Sequence, residues 1–334
     1  MTSSTTLTID QKSDDDEALR ECVGRIVPNM PGGPSAVAEV RREQMDHGGS
    51  YDVFIVTAVL DDGSERRFFM KDLGVCRFDK TAVEEKRERE AITYAKILAD
   101  ADLGTPAYYG TVRQKGRFWL FLELVEGRRL EEGRVEDWVA LAAWVGHAHG
   151  FSAQHADRLM GCDFLLRQDA PFFWKAAQKA ERHVGYISAA LGERVTRLLG
   201  CYGRAVDVML AQPQSALVHG ALRHFNVLLA ADADGRRRMC PVDWERATLG
   251  SPLFDLAYFS DILAPPDVQR VVTAYRDAAS AAGAQLPGTR ELKYVFNCFL
   301  LYRNLRRLWR CAYKQKESEL AAIVERSERC AERV

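Results

Sequence analysis

Hydrophobic and polar positions alternate in short runs along the first third of the chain. Residues 1–14 are rich in Ser, Thr and Asp, which predicts a disordered tail up to a helix that starts near Ser13. Three runs of β-forming residues follow, VAEVRREQM, YDVFIVTAVL and ERRFFMKDL, and turn segments with glycine separate them. A helical segment at about 81–99 precedes two more such runs, YYGTVRQ and RFWLFLELV. This order predicts a five-stranded antiparallel sheet with one helix.

The pattern changes after Gly127 and is helical almost to the end of the chain. Trp138, Leu141, Ala142 and Val145 recur at the spacing of one helical face. The exception is a short β-rich stretch within 216–242. We therefore predict an α+β fold with two domains, a sheet domain at 15–126 and a mainly helical domain at 127–334.

Composition and charge exclude several classes of protein. The 334 residues carry 46 Lys and Arg against 47 Asp and Glu, and this balance argues against a non-specific nucleic-acid binder. No apolar run approaches the roughly 20 residues of a membrane span, and the acidic N-terminus does not resemble a signal peptide. We expect a cytoplasmic protein without membrane contact. The 8 cysteines are spread singly, so we expect reduced thiols and no metal cluster.

One candidate metal site lies at the open end of a predicted hairpin. Asp234-Gly235 is a strong turn signal between two strand-like runs, 227–230 and 238–242. A two-residue turn centred there would place Asn226 opposite Asp243. Amide and carboxylate oxygens are ligands that suit Mg²⁺, with phosphate oxygens and water in the other positions.

A lysine and a glutamate form the second candidate feature. Lys71 ends a strand that looks buried and shares a face with Phe69. Glu90 falls on the apolar stripe of the following helix, where a carboxylate needs a partner. The sequence predicts a Lys71–Glu90 pair, with Glu88 as the weaker choice.

A set of motifs in the second half of the chain resembles a known family. The chain reads His219-Gly220, then Asn226, then Asp243-Trp244-Glu245, and then Gly250, Pro252 and Asp255-Leu256-Ala257. Together with the strand lysine, the helix glutamate and a linker strand that ends in Glu-x-x-x-Gly, this resembles the aminoglycoside phosphotransferase and choline kinase-like family. The resemblance covers about residues 35–264. It implies a protein-kinase-like fold with a small antiparallel N-lobe and a larger helical C-lobe, and a nucleotide between them.

The resemblance also implies roles for individual residues. Lys71 would pair with nucleotide phosphates and with Glu90, while backbone groups of Gly48, Gly49 and Ser50 would cover the phosphates. Main-chain groups from Glu123 to Val125 would meet the base of ATP or GTP. Within the catalytic loop at 217–228 and the metal motif at 243–245, Asn226 and Asp243 would hold Mg²⁺. Asp255 would anchor the loop through hydrogen bonds.

The departure from the family pattern is at the expected catalytic base. In that pattern His-Gly is followed by an Asp that accepts the proton of the acceptor hydroxyl, and this chain has Ala221 there. The catalytic positions to consider are thus Ala221, Arg223 and His219, with His219 expected to hold the loop. Arg223, His224, Glu245 or a carboxylate of the substrate could orient the hydroxyl instead.

Two functions follow from this departure. The first is an ATP- and Mg²⁺-dependent phosphotransferase that acts on a hydroxyl of a small molecule, such as an antibiotic or other metabolite, or on a peptide Ser or Thr. The alternative is a pseudokinase that binds nucleotide and serves as a scaffold or partner-binding subunit. An introduced Asp-to-Ala change would give the same sequence.

The acceptor region has no excess of acidic residues. The segment 151–215 contains six acidic and eight basic side chains, which disfavours a polycationic aminoglycoside. The helix at 302–310 alternates apolar and Arg positions. Its arginines form either a solvated face or a groove for a substrate or partner.

Overall fold

The structure is a computed structural model that describes residues 9–45, 49–78, 81–114, 116–130, 134–231, 234–261 and 263–334, with side chains described from residue 16. The chain divides into two compact units, Met1–Gly127 and Arg128–Val334. Among the described residues, no helix combines the length and apolar character needed to cross a membrane.

The first unit is a sheet with two helices. Its elements are α1 (Ile9–Ile26), β1 (Val37–Gln44), β2 (Asp52–Leu60), β3 (Glu65–Asp72), α2 (Val83–Lys96), β4 (Tyr108–Gln114) and β5 (Arg117–Glu123). The strands form a five-stranded antiparallel sheet in the order β1-β2-β3-β5-β4. This confirms the predicted meander and the two later strands.

Alternating burial explains why these strands assemble. In β2, Val56, Ala58 and Leu60 alternate with less buried residues and belong to one buried cluster, as expected for a strand with one face against a core. Apolar side chains of α1, such as Val23, belong to the same buried cluster as the sheet. The expected start of α1 near Ser13 was wrong, because the helix begins at Ile9.

The second unit is mainly helical. Its elements are β6 (Gly127–Arg129), α3 (Val135–Gln154), α4 (Ala156–Met160), β7 (Leu166–Arg167), α5 (Ala170–Ile187), α6 (Ala189–Leu210), β8 (Ala216–Val218), β9 (Val227–Ala231), β10 (Arg237–Pro241), β11 (Thr248–Gly250), α7 (Leu253–Ser260), α8 (Pro265–Ala281), α9 (Thr289–Tyr313) and α10 (Glu317–Ala331). Two small sheets have the orders β10-β9-β6 and β7-β11-β8.

Close helix packing supports these small sheets. Helix α3 packs along α8, where a Cβ on Gly146 would lie 2.6 Å from the Tyr275 carbonyl oxygen and one on Gly150 2.6 Å from that of Ala282. Only glycine fits such a close approach of two backbones. Helix α9 packs against α5, α6, α7 and α10. The result is a buried helical frame that carries the loops after β8 and β10.

Candidate active site

The loop after β8 is held in place by a carboxylate from α7. Asp255 accepts hydrogen bonds from the backbone N–H groups of His219 (2.6 Å) and Gly220 (3.0 Å). Burial raises the pKa of Asp255 to about 7, while these two N–H donors lower it. Asp255 therefore anchors the loop, as the family resemblance implied, and it does so from a position with almost no solvent contact.

His219 connects the two loops of the site. Its Nε2 lies 2.9 Å from the Val242 carbonyl oxygen, and its Nδ1 accepts a hydrogen bond from the Ala221 N–H at 3.3 Å. This arrangement requires the proton on Nε2 and a lone pair on Nδ1. Burial lowers the pKa of His219 to about 4, which agrees with a neutral ring. His219 is therefore a positioning residue, since both ring nitrogens are engaged by backbone groups.

Gly220 permits the tight approach of these two loops. Its φ is +76°, and a Cβ at this position would lie 2.4 Å from the Arg246 carbonyl oxygen. In return, Arg246 Nε donates to the Gly220 carbonyl oxygen at 3.3 Å. The His-Gly sequence is thus required by the backbone geometry of the loop.

The loops after β8 and β10 also fix the positions of Asn226 and Asp243. Asn226 is buried, and its Nδ2 donates to the Ala221 carbonyl oxygen at 3.0 Å, which fixes the orientation of its amide. Asp243 has a φ of +68°, a conformation that non-glycine residues adopt rarely and often at functional sites. Both residues lie just beyond the paired ends of β9 and β10.

The register of that hairpin corrects the sequence prediction. Pro241 pairs with Val227 and Arg237 with Ala231, so the connection is 232–236, an odd number of residues. Asn226 is consequently opposite Val242, whose N–H donates to the Asn226 carbonyl oxygen at 2.9 Å. Asp243 comes one residue later than expected. Pro241 is tolerated because β10 is an edge strand.

In the first unit, the predicted Lys71–Glu90 pair is present. Lys71 Nζ lies 2.8 Å from both carboxylate oxygens of Glu90, and the two side chains are 11% and 2% exposed. The ammonium group also lies 5.3 Å from the centroid of the Tyr51 ring. Glu88 pairs with Arg113 instead. The structure therefore supports Glu90 over Glu88 as the partner of Lys71.

The other positions expected to contact nucleotide lie in the same unit. The Ser50 carbonyl oxygen accepts a hydrogen bond from the Arg77 N–H at 2.8 Å, while Gly48 lies outside the described residues. The Glu123 N–H donates to the Ala107 carbonyl oxygen at 2.9 Å. The purine base of a nucleotide would therefore have to form hydrogen bonds with other main-chain groups of 123–125. Val125 follows the end of β5.

Sequence reasoning missed one feature of the second unit, the ring of Tyr258. The guanidinium carbons of Arg303, Arg223 and Arg306 lie 4.1, 5.2 and 5.4 Å from its centroid. Arg303 and Arg306 are buried, so the interpretation of the 302–310 helix as a solvated face was wrong for these two residues. A tyrosine on an apolar helix gives no signal of such a contact in the sequence.

A model of the phosphotransferase enzyme family matches residues 55–293. The chain belongs to this phosphotransferase family. No curated protein matches the chain significantly.

Solved structures show the fold that this family membership implies. An aminoglycoside 2'-phosphotransferase-IIIa mutant in complex with GDP superposes with a TM-score of 0.59 at 13% identity, covering 93% of this chain and 96% of that one. The macrolide 2'-phosphotransferase MphH from Brachybacterium faecium gives 0.52 at 17% identity, with 92% and 98% covered. The APH(2")-IIia complex with GDP and kanamycin gives 0.53 at 13%, with 93% and 98% covered. The α+β, kinase-like fold is thus confirmed.

Ala221 stands where the family resemblance places the Asp that accepts the proton of the acceptor hydroxyl. Its N–H and carbonyl oxygen are both engaged, by His219 and Asn226, so the loop keeps its shape without a carboxylate. A methyl side chain can neither accept a proton nor orient a hydroxyl.

Removal of the loop anchor is expected to destabilise the second unit. In Asp255→Ala, two buried N–H groups lose their acceptor, and we expect the free energy of unfolding to fall by more than about 2 kcal/mol. Urea denaturation measures this loss. Asp277→Ala, an exposed change on α8, is the control and should stay within about 0.5 kcal/mol of the parent. Equal stability of both variants would contradict the anchoring role.

Tyr258 is expected to ionise at an unusually low pH. Burial alone would raise its pKa, but Arg306, Arg303, Arg223 and Arg246 favour the phenolate and lower the pKa to about 6. Deprotonation of Tyr258 should therefore begin near this pH. The near-ultraviolet absorbance of tyrosinate reports it. The early step should vanish in Tyr258→Phe and persist in Tyr313→Phe, and its absence from the parent would contradict the assignment.

Proposed function

We propose that this protein transfers the γ-phosphoryl group of ATP or GTP to a hydroxyl of a small molecule. The observation that carries the proposal is the way His219 and Ala221 fix Val242 and Asn226, so that Asn226 and Asp243 are held at the end of one hairpin. A scaffold has no physical need for an amide and a carboxylate held in this manner. Family membership and the Lys71–Glu90 pair support the same function.

In the proposed reaction, the acceptor oxygen forms a bond to the γ-phosphorus. The bond from that phosphorus to the bridging oxygen breaks, and the nucleoside diphosphate leaves with the electron pair. The hydroxyl proton passes to solvent or to an acceptor group of the substrate, because residue 221 cannot take it. Such a transition state is loose and depends mainly on positioning and on neutralisation of charge.

The residues present fit a magnesium ion. Among the described residues there is no group of three or more His, Cys, Asp and Glu side chains suited to a fully protein-bound metal. Mg²⁺ instead binds through one or two protein ligands together with water and phosphate oxygens. Asn226 and Asp243 would supply these ligands. When bound, the ion would neutralise charge on the phosphates, while Lys71, oriented by Glu90, would contact them.

Ala221 favours a second candidate, a pseudokinase that binds nucleotide without transferring phosphate. In that case the protein would act through a partner. Two of the solved relatives are GDP complexes, so both purine nucleotides belong in any test.

Transfer of a labelled γ-phosphate from ATP or GTP to a panel of hydroxylated compounds tests the proposal. We expect labelled product or labelled free phosphate only in the presence of Mg²⁺, and at least about 10²-fold less with Asp243→Ala. Asp234→Ala, in the turn of the same hairpin, is the matched control. Nucleotide binding without any loss of γ-phosphate would establish the pseudokinase instead.

A further inference from the structure

A group of arginines in the second unit surrounds the Tyr258 ring. Arg303 and Arg306 come from α9, Arg223 from the loop after β8 and Arg246 from the loop after β10. We define the arginine cluster as Arg223, Arg246, Arg303, Arg306 and Arg310. Arg310 is one turn beyond Arg306 on α9, and its charge interacts with Tyr258 and with Arg223. The cluster therefore brings five cationic side chains from three parts of the chain to one place.

The arginine cluster is attached directly to the catalytic loop. Arg223 is two residues after Ala221, and Arg246 Nε donates to the Gly220 carbonyl oxygen at 3.3 Å. Arg303 Nε donates to the Tyr258 carbonyl oxygen at 3.2 Å, on the same helix α7 that anchors the loop through Asp255. The cluster thus lies beside the position that the family uses to orient the acceptor hydroxyl.

Negative charge on the described residues does not balance the arginine cluster. Asp261 Oδ2 lies 3.2 Å from Arg303 Nη2 and 3.8 Å from Nη1 of Arg307, which is outside the cluster. The negative charge of Glu245 favours the charged form of Arg246. Among the described residues, these two carboxylates face the five guanidinium groups of the cluster, so positive charge is in excess there.

A buried donor within the cluster lacks a partner among the described residues. Arg303 is 5% exposed, and its Nη1 has no hydrogen-bond acceptor there. A buried cationic N–H group without a hydrogen-bond acceptor is unfavourable, and an acceptor atom of a ligand would remove this cost. Arg223, Arg246 and Arg310 are partly exposed, so a ligand can approach the cluster from solvent.

We propose that the acceptor carries a carboxylate or phosphate group, which the arginine cluster binds while a hydroxyl of the same molecule receives the phosphoryl group. Arginine suits either oxyanion, because its planar guanidinium donates two parallel hydrogen bonds. A polycation such as kanamycin would be repelled here. This inference rests on the proposed function, because it names the class of acceptor for that reaction. Binding through this group would supply the positioning that Ala221 does not.

The test uses the full-length protein and three matched probes, which are glycerate, glycerol 3-phosphate and glycerol. Calorimetry at low ionic strength, with and without saturating Mg²⁺ and AMP-PNP, measures their affinity. We expect at least one of the two anions to bind and glycerol not to bind. Glycerate against glycerol 3-phosphate decides between a carboxylate and a phosphate. Kanamycin is the polycation control and should not bind.

Variants locate the binding within the arginine cluster. Arg223→Gln and Arg310→Gln remove partly exposed members, and each should weaken anion binding about 10-fold, the effect of losing one charged hydrogen-bond partner. Arg290→Gln, an exposed change of equal charge at the start of α9, should leave it unchanged. Urea denaturation checks that the variants are folded.

Several results would overturn the inference. One is equal binding of glycerol and the anions, and another is no binding of either anion. Anion affinity that is unchanged in Arg223→Gln and Arg310→Gln would also contradict it, as would displacement of the anion by AMP-PNP. Phosphoryl transfer to a neutral acceptor would leave the proposed function intact and remove only this inference. Anion binding in a protein that binds no nucleotide would remove the proposed function, and the arginine cluster would then be an anion site without a role in phosphoryl transfer.

Discussion

An Ala221→Asp variant is expected to hydrolyse ATP, without any acceptor, about 10²-fold faster than the parent protein. This is the lower end of what a general base contributes, since phosphoryl transfer depends mainly on positioning. The backbone at 221 is already fixed by His219 and Asn226, and the side chain is partly exposed, so a carboxylate can be accommodated. Release of phosphate from ATP at saturating Mg²⁺ measures the change.

The matched control for this gain is Ala231→Asp, which adds the same charge at the end of β9. It should leave hydrolysis at the level of the parent. The affinity for AMP-PNP should be similar in all three proteins, because residue 221 is not proposed to hold the nucleotide. An unchanged rate in Ala221→Asp would contradict the assignment of this position as the missing base.

The second large effect is expected at the buried ion pair of the first unit. Lys71→Met removes the ammonium group that lies 2.8 Å from the buried Glu90 carboxylate, and we expect the free energy of unfolding to fall by about 3–5 kcal/mol. Nucleotide affinity should fall as well, because Lys71 is proposed to contact the phosphates. Urea denaturation and calorimetry with AMP-PNP measure the two effects separately.

A double variant separates stability from function at this pair. Lys71→Met combined with Glu90→Gln removes the buried carboxylate charge together with the ammonium group and should recover most of the stability, while nucleotide binding stays weak. Lys96→Met, an exposed change on α2, controls for loss of a lysine. Full recovery of nucleotide binding in the double variant would contradict the role of Lys71 and leave only a structural pair.

Regular patterns in the sequence predicted most of the first unit. Runs of β-forming residues between turn segments located its strands, and the apolar stripe on α2 identified Glu90 as the buried partner of Lys71. The three very short strands β6, β7 and β11 were not predicted. Runs of two or three residues contain no periodicity, and these strands form only because neighbouring segments supply the pairing.

Other features depend on contacts that a sequence does not contain. The turn signal at Asp234-Gly235 was read correctly, but the register also depends on the number of connecting residues, and Asp243 moved by one position. The burial of Arg303 and Arg306 depends on Tyr258, which is distant in sequence. Helical spacing alone could not distinguish a solvated face from this cluster.

Calorimetric binding of AMP-PNP with and without Mg²⁺, for the parent protein and Asp243→Ala, tests the central claim most directly. The claim is that the chain keeps a nucleotide and metal site of the phosphotransferase family although its catalytic loop carries Ala221. We expect Mg²⁺-dependent binding to the parent and its loss in Asp243→Ala, with both proteins equally folded. No binding to the parent, or equal binding to both proteins, would contradict this account.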